Sequence, residues 1–209
     1  MELSRKRLFI NKKISEKERE KTIRLAVENG CNTLVFSMDD RFFKKENSKY
    51  AGLIKNYSLN TEAGGRDLPL LLPKRKFFFN SGLFRMTQGI RKPDHHFCPT
   101  NPKTIALLSE RCKIFFDRVM EKVSVPRVFH LLPDKGHENT WCACPACRAF
   151  RPAEQYMIAV NAAADILAAC DPDALLLYID FDTAPQDAPR LALRKNTLKL
   201  LEASLQAGD

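Results

Sequence analysis

RLFINKKISEKEREKTIRLAVENGCNTLVFS, residues 7–37, contains one complete structural unit and decides the fold class. Arg7-Leu-Phe-Ile10 reads as a short buried strand. Ser15 followed three residues later by Glu18 is a capping-box signature, so a helix starts there. It runs to Glu28 with Ile23, Ala26 and Val27 on one face, and Asn29-Gly30 supplies the stop. Thr33-Leu-Val-Phe-Ser37 is an apolar, β-branched run that ends in the polar residues Ser37, Asp39 and Asp40. Strand, capped helix, glycine stop and strand within about 30 residues form a βαβ unit.

The alternation continues outward. A second helix is expected over Ser48–Lys55 and a third strand over Ser58–Glu62, closing on Gly64-Gly65-Arg66. Residues 68–100 read as an inserted irregular or β-hairpin region. Phe77-Phe-Phe79 and Leu83-Phe-Arg-Met86 flank a turn at Asn80-Ser-Gly82. Asn101-Pro102 opens a helix with an apolar stripe through Ile105, Leu108, Cys112, Phe115, Phe116 and Val119. Val125–Leu132 is the fourth strand, Pro152 opens another helix, Ala174–Phe181 is the fifth strand, and Arg190–Gln206 reads as a final amphipathic helix.

Repeated β/α units argue for a parallel sheet in an α/β fold. Polar clusters follow the strands, as at the functional face of a (β/α) barrel. Neither a Gly-x-Gly-x-x-Gly nor a Gly-x-x-x-x-Gly-Lys motif occurs, which argues against a nucleotide fold. About five units fall short of the eight of a full barrel. The expectation is one truncated TIM-barrel-like domain over residues 1–209, lacking its last units.

Composition narrows the class. The chain has 209 residues, 44% hydrophobic and 28% charged, with a formal net charge of +9. The positive charge is spread along the chain, and glutamates interleave with the lysines of 5–24, so no nucleic-acid partner is expected. No apolar run reaches the roughly 18–20 residues of a membrane span, and no secretory signal follows the basic start, so neither a membrane nor an export route is expected. Seven cysteines, three of them within residues 142–147, point to a reducing, cytoplasmic setting and free thiols rather than disulfides.

Several motifs together resemble a known family. They are Glu62-Ala-Gly-Gly-Arg66, Phe97-Cys-Pro-Thr-Asn-Pro102, Val128-Phe-His-Leu-Leu-Pro-Asp134 and Cys142-Ala-Cys-Pro-Ala-Cys147. In this order they resemble an uncharacterised bacterial family of glycoside-hydrolase-like TIM barrels, distantly similar to α-glucuronidase and β-N-acetylhexosaminidase barrels. The resemblance covers Leu8 to Phe181. It implies a barrel and a carbohydrate substrate.

Glycoside hydrolysis uses a pair of carboxyl groups. Asp134 and Glu138 stand just past the fourth strand, and the resemblance to the hexosaminidase-like barrels, whose acid lies at that strand's end, implies Asp134 as the general acid. Glu138 and Glu62 are the other catalytic candidates, with Asp180 also at a strand end. Asp39, Arg66, His130 and Trp141 are candidate substrate contacts. Arg66 suits a carboxylate, and Trp141 can stack on a sugar or simply pack within the loop. Helix and loop capping is the alternative role for the acids, and a core hydrogen bond for His130.

Cys142, Cys144 and Cys147 can converge from one short loop, with Cys98, His95, His96 or His137 as a fourth ligand and zinc as the candidate ion. A packed thiol loop and a redox pair are the alternatives. Cys31, Cys112 and Cys170 fit as apolar fillers. The alternative overall reading is a noncatalytic barrel remnant with a Cys-rich structural zinc site or a carbohydrate-binding role; in either reading a homo-oligomeric partner is a candidate to cover the open barrel edge.

Overall fold

The structure, a computed structural model, describes residues 5–10, 15–43, 50–94, 96–134, 140–179 and 190–200. Its elements are β1 (Arg7–Ile10), α1 (Glu16–Glu28), β2 (Thr33–Phe36), α2 (Tyr50–Asn56) and β3 (Asn60–Gly65). A small hairpin, β4 (Met86–Thr87) and β5 (Ile90–Arg91), precedes α3 (Pro102–Val119). Then come β6 (Val128–Leu131), α4 (Pro152–Cys170), β7 (Leu175–Tyr178) and β8 (Thr197–Lys199). The capping box at Ser15 forms as the sequence requires: Ser15 N–H donates to Glu18 Oε2, and Glu18 N–H donates to Ser15 Oγ.

The six-stranded sheet has the order β1-β2-β3-β6-β7-β8, and every pair is parallel. Each strand pairs with the one before it in the sheet's chain order. A doubly wound sheet reverses direction at a switch point, and this one never does. Sequential winding is the topology of a (β/α) barrel arc. The expected α/β barrel architecture is therefore present, with six strands where five were expected.

Register separates the two faces. Leu8, Leu34, Ala63, Phe129 and Leu176 fall on the helix-covered side, where the Phe129 ring meets Phe116 of α3 edge-on at 5.0 Å. Arg7, Phe9, Val35, Glu62, Gly64 and His130 fall on the other side, the inner wall of the arc. The Phe9 ring meets His130 there, again edge-on, at 5.2 Å.

Three expectations are corrected. The third strand runs to Gly65, so Glu62 lies within it and not at its end. The three phenylalanines 77–79 have no partner strand; Lys74–Phe78 is a 3-10 turn, and the hairpin forms later, around Gln88 and Gly89. Both turn residues have positive φ (50° and 80°), the geometry of a two-residue type I′ hairpin. The final helix is absent from residues 190–200, where β8 joins the sheet instead. Side chains of α4 explain this. Asn161 donates to the Ala192 carbonyl and accepts from Arg194 N–H, and the buried Glu154 holds Arg190 at 3.1 Å. These tertiary anchors override helix propensity. Residues 201–206 of that expected helix, and 48–49 of the second, lie outside the described residues.

Gly64 is the tightest point of the sheet. Its φ is +114°, and a Cβ there would lie 2.0 Å from the His130 carbonyl oxygen of β6. A methyl group must push neighbouring strands apart. Gly64→Ala should cost about 3 kcal/mol or more, whereas Gly89→Ala, in open space, should cost about 1 kcal/mol. Urea unfolding of the two variants beside the parent measures this; equal losses would contradict the packing described.

Candidate functional site

The inner wall carries a buried ionic cluster. Glu62, fully buried in β3, accepts from Arg7 Nε at 2.7 Å and Arg7 Nη2 at 3.2 Å, and from Arg5 Nη1 at 2.8 Å. Its Oε2 also lies 2.5 Å from His130 Nε2, and both of these side chains are 0% exposed. Burial alone would raise the Glu62 carboxyl, but the contacts with His130 and Arg7 override it and hold it at about 2. Burial pushes the His130 imidazole down, against the pull of Glu62. A neutral ring that donates Nε2–H to Glu62 leaves Nδ1 as an acceptor, and Nδ1 has no partner among the described residues. Glu62 and His130 thus come together inside the arc, on the strands and not in the loops that follow them.

A second group gathers at the strand C-terminal ends. The Ser37 hydroxyl lies 2.7 Å from both Asp39 Oδ1 and Asp67 Oδ1, and Asp67 Oδ2 accepts from Met38 N–H at 2.7 Å. One hydroxyl proton therefore serves two carboxylates. The neighbouring Asp40 is buried, paired with Arg19 at 3.0 Å, and accepts from Phe42 N–H. Arg66 Nη1 donates to the Pro133 carbonyl at 3.0 Å, next to half-buried Asp134. Leu132 N–H donates to Gly65 O, which carries the β3–β6 pairing to this point. Glu138, Asp180, His95 and His137 lie outside the described residues.

The four expected cysteines converge. Cys98, Cys142, Cys144 and Cys147 are all buried, and their sulfurs lie within 4.8 Å of one another. Cys98 Sγ is 3.7 Å from Cys144 Sγ and 3.6 Å from Cys147 Sγ. These separations exclude disulfides, whose sulfurs sit at about 2.0 Å. They match the edge of about 3.8 Å that four thiolates make around an ion 2.3 Å from each. The group can therefore take a metal ion. Hydrogen bonds with Cys142 and Cys147 push the Cys98 thiol down, while hydrogen bonds with Cys142 and Cys98 push the Cys147 thiol up. Met86 N–H and Arg91 Nη1 donate to Cys142 Sγ at 3.2 and 3.6 Å. Gln155, buried on α4, accepts from Cys142 N–H and donates to the Cys142 and Cys147 carbonyls.

Trp141 is 5% exposed. Its ring stacks on His96 at 4.3 Å and 7°, and meets Phe97 edge-on at 5.8 Å. The Tyr156 hydroxyl, beside it, donates to the Leu131 carbonyl. Sequence reading missed Arg5, Arg7, Asp67, Arg91 and Gln155. An arginine opening an apolar strand, as Arg7 does, was the one available signal.

A sequentially wound parallel arc with polar groups at its strand ends defines a (β/α)-barrel protein. No protein-family model and no curated protein matches the chain. Among solved structures it is similar to the tandem GH20 catalytic modules of the pneumococcal exo-β-D-N-acetylglucosaminidase StrH. The TM-score is 0.62 at 10% identity, covering 93% of this chain and 58% of that one. A second StrH structure, from work on inhibition and N-glycan recognition and hydrolysis, gives 0.60 at 11% identity, covering 93% and 57%. The chain spans a little over half the length of these structures, and at such identity the likeness is one of fold. No helix among the described residues is long and apolar enough to cross a membrane.

The ionic cluster sets an acid limit. Folded Glu62 and His130 both bind protons less readily than in the unfolded chain, so stability is lost as pH falls. Loss begins below the ordinary imidazole value of 6.5 and continues from 4.5 down to about 2. His130→Gln should remove the first limb and leave a smaller second one, because Arg7 still lowers Glu62 but His130 no longer does. Glu62→Gln should cost about 3–5 kcal/mol at neutral pH, because it strands two buried guanidinium groups. Denaturation midpoints between pH 7 and 3 test both; an unchanged first limb in His130→Gln would refute its assignment.

Proposed function

We propose that this chain is a carbohydrate-acting, glycoside-hydrolase-like barrel segment whose sugar meets the C-terminal ends of β2, β3 and β6. The observation that supports this reading best is the grouping of Asp39, Asp67 and Ser37 at the ends of β2 and β3, with Arg66 reaching to the loop that carries Asp134. In a (β/α) barrel this is the face where substrates react. Asp134 acts as the general acid, protonating the leaving glycosidic oxygen. Asp39 accepts from sugar hydroxyls, and Arg66 faces an acidic or amide substituent. Glu62 and His130 act as positioning residues that fix β3 against β6 beneath these groups. Trp141 supports the loop from within. Glu138, close behind Asp134 in sequence, is the proposed partner carboxylate.

The Cys98–Cys142–Cys144–Cys147 group holds a structural zinc ion in this reading. Four thiolates with no position left for water match a closed tetrahedral site. The ion would brace the candidate face and take no part in bond cleavage. A noncatalytic, sugar-binding role is the second reading. It is favoured by the commitment of Glu62, the one candidate catalytic acid on the inner wall, to two arginines and a histidine.

Fluorogenic N-acetylhexosaminides and hexuronides test the activity. Turnover should fall about 100-fold or more in Asp134→Asn with the fold retained by circular dichroism. Binding by calorimetry with no turnover would select the noncatalytic reading, and neither binding nor turnover would reject both. For the metal, protein purified without added metal should carry about one zinc per chain. Cys144→Ser should lose it and melt lower, whereas Cys170→Ser should keep it. Less than about 0.1 zinc per chain, with all thiols titratable, would reject the ion.

A further inference from the structure

The region between β3 and α3 carries a feature that the carbohydrate reading does not use. Residues 68–93 hold six cationic side chains and no acidic one. Two of the six are engaged: Arg85 by Asp94 at 2.6 Å, and Arg91 by the Phe84 carbonyl and Cys142. Lys74, Arg75, Lys76 and Lys92 are exposed and make no ion pair among the described residues. Beyond the first three, after Phe77, stand Phe78 and Phe79, 88% and 87% exposed, the most exposed large apolar side chains described.

The tip is held firmly. Lys76 N–H donates to Pro73 O, and Phe79 and Asn80 N–H both donate to Lys76 O, closing the 3-10 turn. Phe77 anchors it from below, edge-on to Phe84 at 5.4 Å. Holding two phenyl rings in water on an ordered turn is unfavourable unless something takes them up.

We propose that the Lys74–Phe79 tip docks the protein on the surface of an anionic lipid bilayer. Adjacent residues of a three-residue turn leave it about 120° apart, so Phe78 and Phe79 diverge. A preshaped protein pocket would have to accept two separate rings around a convex knob. A fluid apolar layer takes both at once, while the three cations beside them meet lipid phosphates. A second copy of the chain is disfavoured because each copy would bring the same cations to the contact, on a molecule of net charge +9. Single-stranded nucleic acid needs a basic groove that tracks its backbone, and here the charge sits on one knob. This mode of membrane contact is peripheral and needs no spanning segment.

Cosedimentation of the full chain with vesicles tests the inference. Vesicles of neutral phosphatidylcholine should bind weakly, and vesicles with about 30% phosphatidylglycerol strongly, with binding that falls as salt rises. Phe78→Ser with Phe79→Ser should weaken partition about 10-fold or more. Each of Lys74→Gln, Arg75→Gln and Lys76→Gln should weaken it roughly fivefold. All of these side chains are exposed, so circular dichroism should not change. Equal binding to neutral vesicles, or none to either, overturns the proposal. So does anionic binding that survives loss of both phenylalanines. Tighter phenylalanine-dependent binding to heparin or single-stranded RNA, or phenylalanine-dependent self-association in ultracentrifugation, overturns it as well.

Discussion

Burying the Glu62 carboxylate inside the strand arc is costly in isolation, and the surrounding structure follows from meeting that cost. The charge is answered by Arg5 and Arg7 from the first strand segment and by His130 from β6. Three segments far apart in sequence are therefore tied through one side chain, and their strands must keep one register for the contacts to form. Gly64 belongs to the same constraint. Only a residue without a Cβ lets β3 approach the His130 carbonyl this closely, and that approach is what places the imidazole against Glu62.

A second tie works on the outer side of the strand ends. The Cys98 segment arrives from the long excursion after β3, and Cys142–Cys147 from the loop after β6. Ala143 N–H donates to Met86 O, so the small β4–β5 hairpin also locks onto the cysteine loop. Gln155 then fastens that loop to α4. Two long loops that would otherwise be independent become one braced body, into which Trp141 and His96 stack. The ionic cluster fixes strands, and the cysteine group fixes loops. In sequence Asp134 stands between the two, after β6 and before the cysteine loop.

The legible parts of the sequence were those governed by local physics. Ser15 with Glu18, Asn101 with Pro102 and the apolar runs near 33–36, 128–131 and 175–178 formed what their periodicity and caps required. The convergence of Cys98 on the other three cysteines was also readable, because a barrel brings loops from neighbouring strands together. What failed was set by distant partners. Phe77–Phe79 has strand composition, yet only Phe77 finds an apolar neighbour to pack on. Residues 190–200 have helix composition, yet Asn161 and Glu154 capture their backbone and side chains. Glu62 looked like a strand-end acid because nothing in its neighbourhood of sequence announces Arg5, Arg7 or His130.

These placements divide the arc by chemistry. The acid at the level of the strands is neutralised by cations and closed to water, so it contributes rigidity and an acid-labile fold. Of the acids at the strand ends, Asp39 and Asp134 are half-buried, whereas Asp67, which shares the Ser37 hydroxyl with Asp39, is buried. A carboxylate can serve catalysis only if its proton can exchange with substrate, a requirement that the closed, ion-paired Glu62 does not meet. The inner wall tolerates a full ionic cluster because Glu62 is paired with two arginines and His130, and exclusion of solvent strengthens each of those contacts.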